Sequence, residues 1–280
     1  MDNDRINEST LIIDAAGRHH QPAGRDARIV SLVPSITELL FDLGLGAHVV
    51  GRTAFCVHPV GRVKRVRSVG GTKQVNRDKL HALAPTHVIV NVDETPRRLA
   101  EELAEQGYAV VVTHPIEVSD NLALFRLLGA LFDRAAPAEA LCRRFEQAYD
   151  GAVAAAAALP ALRVLYLIWK EPWMTVSRDT YISRMLALVR WQTMPEVAEV
   201  RYPTIPLTDA DLEKVDLVLF SSEPFPFTVS HVAAFQDAHP AHRDSCLLID
   251  GQMVSWYGSR AIAGLDYLTR LAAADRVVTP

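Results

Sequence analysis

The chain has 280 residues, 49% of them hydrophobic and 22% charged, with a formal net charge of -4, which allows two compact lobes with a sizeable core and argues against disorder. The acidic balance leaves no global electrostatic footprint for nucleic acid, and no aromatic-studded basic motif of an RNA-binding module occurs. Cys56, Cys142 and Cys246 are too few and too far apart for a disulfide framework. With no basic and apolar leader at the start and no apolar run near the ~20 residues of a membrane helix, the expectation is a cytoplasmic protein without membrane insertion.

In chain order, residues 11–17 read as a short strand and turn. An apolar run over 28–33 predicts a buried strand stopped by Pro34, after which Ser35 and Glu38 have capping-box spacing and open a helix that Gly44 and Gly46 close. A strand at 48–51 leads into an irregular segment over 53–73. Between 52 and 79, Arg52, Arg62, Lys64, Arg65, Arg67, Lys73, Arg77 and Lys79 face a single acid, Asp78. Such a run is either a solvated face or a rim that attracts an anion. Asn76 caps a helix reaching 83, and Pro85 ends it. A strand at 87–91, a helix at 96–106 and a strand at 108–113 continue the alternation, which implies a mainly parallel sheet.

From 119 to 159 only helix-favouring sequence appears. A helix from Pro137 to 159 would be ~34 Å long at 1.5 Å per residue and would form a stiff connector. A second alternating block follows, with strands at 163–169, 216–220 and 246–250 and helices at 180–189, 209–215, 229–238 and 259–273. The fold class is therefore α/β: two Rossmann-like α/β lobes with mainly parallel sheets bridged by a single long α-helix. The boundaries are a tail and short hairpin over 1–27, a first lobe over 28–118, connecting helices over 119–160 and a second lobe over 161–280.

Two late strings, Ser221-Ser-Glu-Pro-Phe-Pro-Phe227 and Asp250-Gly-Gln-Met-Val-Ser-Trp-Tyr-Gly-Ser-Arg260, follow apolar runs and crowd rings and acids into expected loops. Strand ends of open α/β sheets face a ligand crevice. Trp173, Trp256 and Tyr257 neighbour Pro, Gly and Ser and read as cleft-lining platforms for a planar ligand, together with Glu223, Phe225 and Phe227, whereas core packing explains Trp169 best. Lys73 and Arg260 stand in loops beside Gly or Thr and suit peripheral carboxylates or phosphate. Cys56 and His58 offer a thiolate and an imidazole two residues apart, suited to a transition metal or the axial position of a corrinoid or haem, although the pair is short of a coordination set and packing is the stronger reading. Glu94, His114 and Asp250 are further potential ligands at strand ends. Gly44-Leu-Gly46 lacks the third glycine of a dinucleotide fingerprint, and no phosphate-binding loop, nucleophile elbow or His-Glu-x-x-His helix is present.

The strings at 11–18, 28–38 and 43–46, with Val50-Gly51, Val69-Gly-Gly71, Asn76 with Asp78, and Leu83-Ala-Pro85, resemble the class III solute-binding proteins, or helical-backbone metal receptors, which include periplasmic cobalamin-binding and iron-siderophore-binding proteins. Phe55-Cys-Val-His-Pro59, Gly70-Gly-Thr-Lys73, Ser221-Ser-Glu-Pro-Phe-Pro-Phe227 and Trp256-Tyr-Gly-Ser-Arg260 are similar to strings of a signal-less subgroup. The resemblance implies a small-molecule ligand in the cleft between lobes, little hinge motion and no covalent chemistry. A corrinoid such as cobalamin is the first expectation; another metal chelate (haem, siderophore) or a free metal ion is the alternative, and an enzyme of unknown reaction on the same cleft is the other. Exported members dock on a permease through one acid per lobe, for which Asp78 and Asp209, Asp211 or Glu213 are placed. The missing export leader argues against that delivery and leaves a cytosolic scavenger, chaperone or sensor. The oligomeric state is left open.

Overall fold

In the computed structural model, which describes residues 12–274, the chain divides into two compact units. The first holds the chain up to His114 together with Ala123–Leu141; the second holds Pro115–Leu122 and the chain from Cys142 onward.

The first unit opens with an antiparallel hairpin of β1 (Ile12–Ile13) and β2 (His19–His20); Leu11, where the sequence places the start of this strand, lies outside the described residues. Asp14 anchors the hairpin. Its carboxylate accepts the backbone N–H groups of Ala16, Arg18 and Val112, each at 2.9 Å, and lies 3.0 Å from His20 Nε2. β3 (Ile29–Ser31) is buried throughout, as a strand covered on both faces must be. Helix α1 (Pro34–Asp42) starts at the proline itself, with Val33 as N-cap. Pro has no N–H to leave unsatisfied and its φ suits the first helical position, so the expected Ser35 cap is displaced into the first turn, where its hydroxyl is buried without a hydrogen-bond partner.

Next come β4 (Val49–Arg52), a 3-10 turn (Val63–Arg65) and β5 (Arg67–Ser68). Helix α2 (Arg77–Ala82) is capped as expected, Asn76 Oδ1 accepting Lys79 N at 2.9 Å. β6 (His87–Asn91), α3 (Arg97–Glu105) and β7 (Ala109–Thr113) complete this half. The sheet order is β5-β4-β3-β6-β7, every pair parallel. Val30, Leu32, Val88, Val90, Val110 and Val112 pack with Leu80 of α2, Leu83 at its C-cap, and Leu99 and Leu103 of α3. Ala15 N donates to Val112 O at 3.0 Å, so the hairpin covers the β7 edge.

Helices α4 (Asp120–Leu131) and α5 (Ala135–Ala156) are each divided between the units, at 122/123 and 141/142. The 22 residues of α5 make a rod of ~33 Å. Two of the chain's passages between units therefore run through helix rather than coil.

The second unit contains β8 (Leu162–Leu167), α6 (Tyr181–Leu188), β9 (Trp191–Thr193), α7 (Asp209–Leu212), β10 (Leu217–Ser221), α8 (Val229–Ala238), a 3-10 turn (Pro240–Ser245), β11 (Cys246–Ile249), α9 (Gly251–Ser255) and α10 (Arg260–Ala272). Its sheet order is β11-β10-β8-β9, again all parallel. Two elements differ from expectation. β9 is a three-residue edge strand, too short for an apolar run to signal, and the segment expected as one loop after β11 begins with α9 because the Asp250 carboxylate accepts Gln252 N at 3.0 Å. Leu165, Leu167, Val218, Phe220, Phe227 and Phe235 form the core under β8 and β10.

Both sheets reverse their strand order beside their first strand, between β3 and β6 in one unit and between β8 and β10 in the other. The carboxyl ends of these pairs are where open α/β sheets leave a crevice. No described helix is long and apolar enough to cross a membrane.

Candidate ligand-binding site

At the switch point of the second unit a hydrogen-bonded relay runs outward from the core. Tyr166, fully buried on β8, donates to Ser221 Oγ at 2.8 Å, and burial raises its pKa so that it stays a donor. Ser221 Oγ in turn donates to the Glu223 carbonyl at 2.6 Å and receives the Glu223 N–H at 3.3 Å, fixing the backbone just beyond β10. The Glu223 carboxylate then accepts Gln252 Nε2 at 2.8 Å and Trp256 Nε1 at 2.9 Å. Both donors are neutral. Glu223 is half-buried at this strand end, and the cation over its Trp256 donor is the Arg260 guanidinium, 5.1 Å from the ring.

Gly251 makes the convergence possible. A Cβ there would lie 2.5 Å from Ser221 Oγ and 2.8 Å from Glu223 N, so only glycine lets the end of β11 approach the end of β10 this closely. Gly251 N also donates to Ser222 Oγ at 2.9 Å.

The aromatic residues divide into two groups. Phe227, Trp256 and Tyr257 are buried, at 3%, 7% and 7% exposure. Tyr257 meets Tyr181 edge-on at 5.8 Å, and the Arg260 guanidinium lies 5.1 Å over the Trp256 ring. The backbone beside them is tied down as well, Gly258 N donating to Asn121 Oδ1 at 2.6 Å. Trp173 stacks on Phe227 at 6.1 Å and packs against the core. Trp169, which the sequence assigns to the core, is instead 41% exposed, because β8 ends at Leu167 and Trp169 opens a turn closed by its bridge to Met174. It meets Phe225 edge-on at 5.5 Å, and Phe225 lies 4.6 Å from Phe227. The rings left accessible after β8 and β10 are thus the exposed Trp169 and the half-buried Phe225, two residues on from Glu223. Trp256 and Tyr257, expected to line the cleft, are buried beside it.

The first unit's switch point has a different character. Ser31, Asn91 and Thr113 are buried, at 0%, 2% and 2% exposure. Asn91 Nδ2 donates to Thr113 O at 3.0 Å, its Oδ1 accepts Asp93 N at 2.8 Å, and Thr113 Oγ1 donates to Val90 O at 2.9 Å. Cys56 belongs to this polar interior. Its Sγ lies 3.1 Å from Thr37 Oγ1 and 3.2 Å from Thr53 Oγ1, and burial pushes the thiol pKa up, which disfavours the thiolate a metal needs. His58 is half-buried and Lys73 exposed in the loop before α2. Among the described residues no group of three His, Cys, Asp or Glu side chains is arranged to hold a metal ion.

Gln252 and Asn121 carry no sequence signal. Each is a polar residue within an ordinary polar or helical stretch, and each acquires its role from a partner far away in the chain. Gly251 was detectable as a small residue directly after a strand and an acid, the pattern of a close backbone approach.

A family model described as periplasmic binding protein matches residues 29–238 of this chain, well over half of its length. The vitamin B12-binding protein of Pectobacterium atrosepticum is 24% identical over 183 residues, which cover 64% of this chain and 65% of that protein; the match thus spans slightly less than two thirds of that relative. Among solved structures, the periplasmic vitamin B12-binding protein of Vibrio cholerae superposes with a TM-score of 0.76 at 17% identity, over 88% of this chain and 97% of the other. A periplasmic heme-binding protein from Roseiflexus sp. RS-1, in its apo form, gives a TM-score of 0.78 at 22% identity, over 90% and 99%. Sequence likeness and fold likeness point to the same group of proteins.

Proposed function

We propose, from the premise that the chain belongs to the periplasmic binding protein family, that it is a non-enzymatic binding protein whose ligand is a corrinoid, engaged at the β8/β10 switch point of the second unit. Both B12 and heme binders stand among its relatives and structural neighbours, so the choice rests on this chain's own residues. Glu223 carries it. A corrin bears amide side chains, whose N–H groups a carboxylate accepts, while haem bears propionates, which the Glu223 carboxylate repels, a repulsion that the Arg260 guanidinium over the neighbouring Trp256 ring weakens. Trp169 and Phe225 supply apolar surface for the ring system. The neutral donors on Glu223 leave its charge in place for the ligand.

The reading extends to location. None of the three cysteines forms a disulfide, which fits a reducing compartment and a cytosolic scavenger, chaperone or sensor rather than a permease-delivery role. Fractionation of the native protein checks this, and recovery of the full chain outside the cytoplasmic membrane would contradict it.

The test of the ligand is a tryptophan-fluorescence titration with cyanocobalamin, run on the parent and on Trp169→Ala. The parent should bind saturably. Trp169→Ala should lose about tenfold in affinity, the order of an aromatic contact, with its melting temperature unchanged because the ring is exposed. No binding by the parent, or equal affinity in the variant, contradicts the reading.

A further inference from the structure

The basic run between 52 and 79 is not absorbed by this site, and the fold divides it. Arg77 pairs with Glu102, and Arg52 turns inward, its Nε donating to Val63 O at 3.0 Å and its Nη1 to Thr53 O at 2.8 Å. Arg62, Arg65 and Arg67 instead gather with Arg28 around a pocket of about 560 Å³ at the amino ends of β3, β4 and β5. This is the opposite end of the sheet from its switch-point crevice. No carboxylate lines the pocket, and none of the four arginines forms an ion pair with a described residue.

The pocket is built rather than incidental. Arg28 is held by carbonyls at the end of α2, its Nε and Nη2 donating to Leu83 O at 3.0 and 2.7 Å. The Arg62 guanidinium lies 5.0 Å over the ring of Phe41, which is itself buried. Gly46 makes room for that stack, because a Cβ there would fall 2.6 Å from Phe41 Cδ1 and 3.4 Å from Arg62 Nη2. Four like charges around one concavity repel one another, and an anion in their midst offsets that repulsion by attracting each of them. Guanidinium groups match phosphate oxygens in planar, bidentate geometry.

We propose that this pocket is a binding site for a phosphate-bearing anion, separate from the ligand face of the second unit. The phosphate belongs either to a small soluble polyphosphate or to a phospholipid headgroup. Two arms distinguish these: calorimetric titration with inorganic pyrophosphate, and flotation with phosphatidylcholine vesicles with and without phosphatidylglycerol. Each is run on the full chain, on Arg62→Gln/Arg65→Gln, and on Arg143→Gln/Arg144→Gln, which removes the same charge from exposed positions on α5.

Pyrophosphate binding that weakens at least about tenfold in the pocket variant, the worth of one charge-assisted hydrogen bond, and is kept in the α5 variant supports the soluble source. Binding to phosphatidylglycerol vesicles alone, with the same pattern across variants, supports the headgroup. Arg65→Gln alone repeats the test should the double variant fail to fold, since Arg65 is exposed. Absence of binding in both arms, binding untouched by the pocket substitutions, or an equal loss in the α5 variant overturns the proposal.

Discussion

The two switch points share a topology and differ in what they do with polarity. In the first unit, Ser31, Asn91 and Thr113 are buried and spend their hydrogen bonds on neighbouring backbone. In the second, the relay from Tyr166 through Ser221 ends on a half-buried carboxylate bonded to the buried Trp256. A closed polar network rigidifies a strand end, whereas a charge hydrogen-bonded to neutral donors remains available to a ligand. On the proposed reading, the first crevice is framework and the second chooses the ligand.

The largest expected effect breaks the assumption that Trp256 and Tyr257 are packing. Each is 7% exposed, so Trp256→Ala and Tyr257→Ala should each lower unfolding free energy by about 3–5 kcal/mol, seen in urea titrations. A folded variant with parental stability would return these rings to the ligand face. Next, Asn91→Ala should cost about 1 kcal/mol by removing the hydrogen bonds to the Thr113 carbonyl, which keeps the Val92 N–H, and from the Asp93 N–H; a change near zero would mean that the first crevice is not the rigid one. Glu223→Gln is smaller in stability, within about 1 kcal/mol, because an amide can still accept Trp256 Nε1. Its affinity for cyanocobalamin should nevertheless fall about tenfold, and equal binding would sever the carboxylate from ligand choice.

The smallest effect concerns pH and the first unit alone. Burial, and secondarily the charge of His20, lowers the His87 pKa below 6.5. The unfolded chain therefore takes up this proton before the folded one does, so the contribution of His87 is fully present above pH 6.5 and is lost as pH falls through the folded pKa. His87→Gln should flatten the stability profile below pH 6.5; an unchanged slope would show that another group governs it.

Much of the framework was legible because continuous apolar runs bounded by Gly and Pro have few alternatives. The strand at 87–91 and the Asn76 cap appear where their residue types place them. The site was harder to read, for a physical reason. Its aromatic content was visible, but which rings are buried depends on partners remote in sequence. Gly258 looked like the mark of an open loop, yet its N–H is bound to Asn121 of α4, and Trp256 sinks toward Glu223, 33 residues earlier in the chain. Trp169 continues the apolar run of β8 in sequence, but the strand ends at Leu167 and the ring turns outward. The capping-box spacing at Ser35 misled because Pro34 claims the first helical position. The basic run offered two readings, and the fold separates paired and inward-turned arginines from the unpaired ones at the pocket.

The most direct test of the central claim is a side-by-side equilibrium absorbance titration of the purified chain with cyanocobalamin and with haemin, repeated with Glu223→Gln. The account predicts that the parent favours the corrinoid and that removing the carboxylate narrows the preference by weakening corrinoid binding and easing the approach of the propionates. Tighter binding of haemin by the parent, or a preference that Glu223→Gln leaves unchanged, would contradict it.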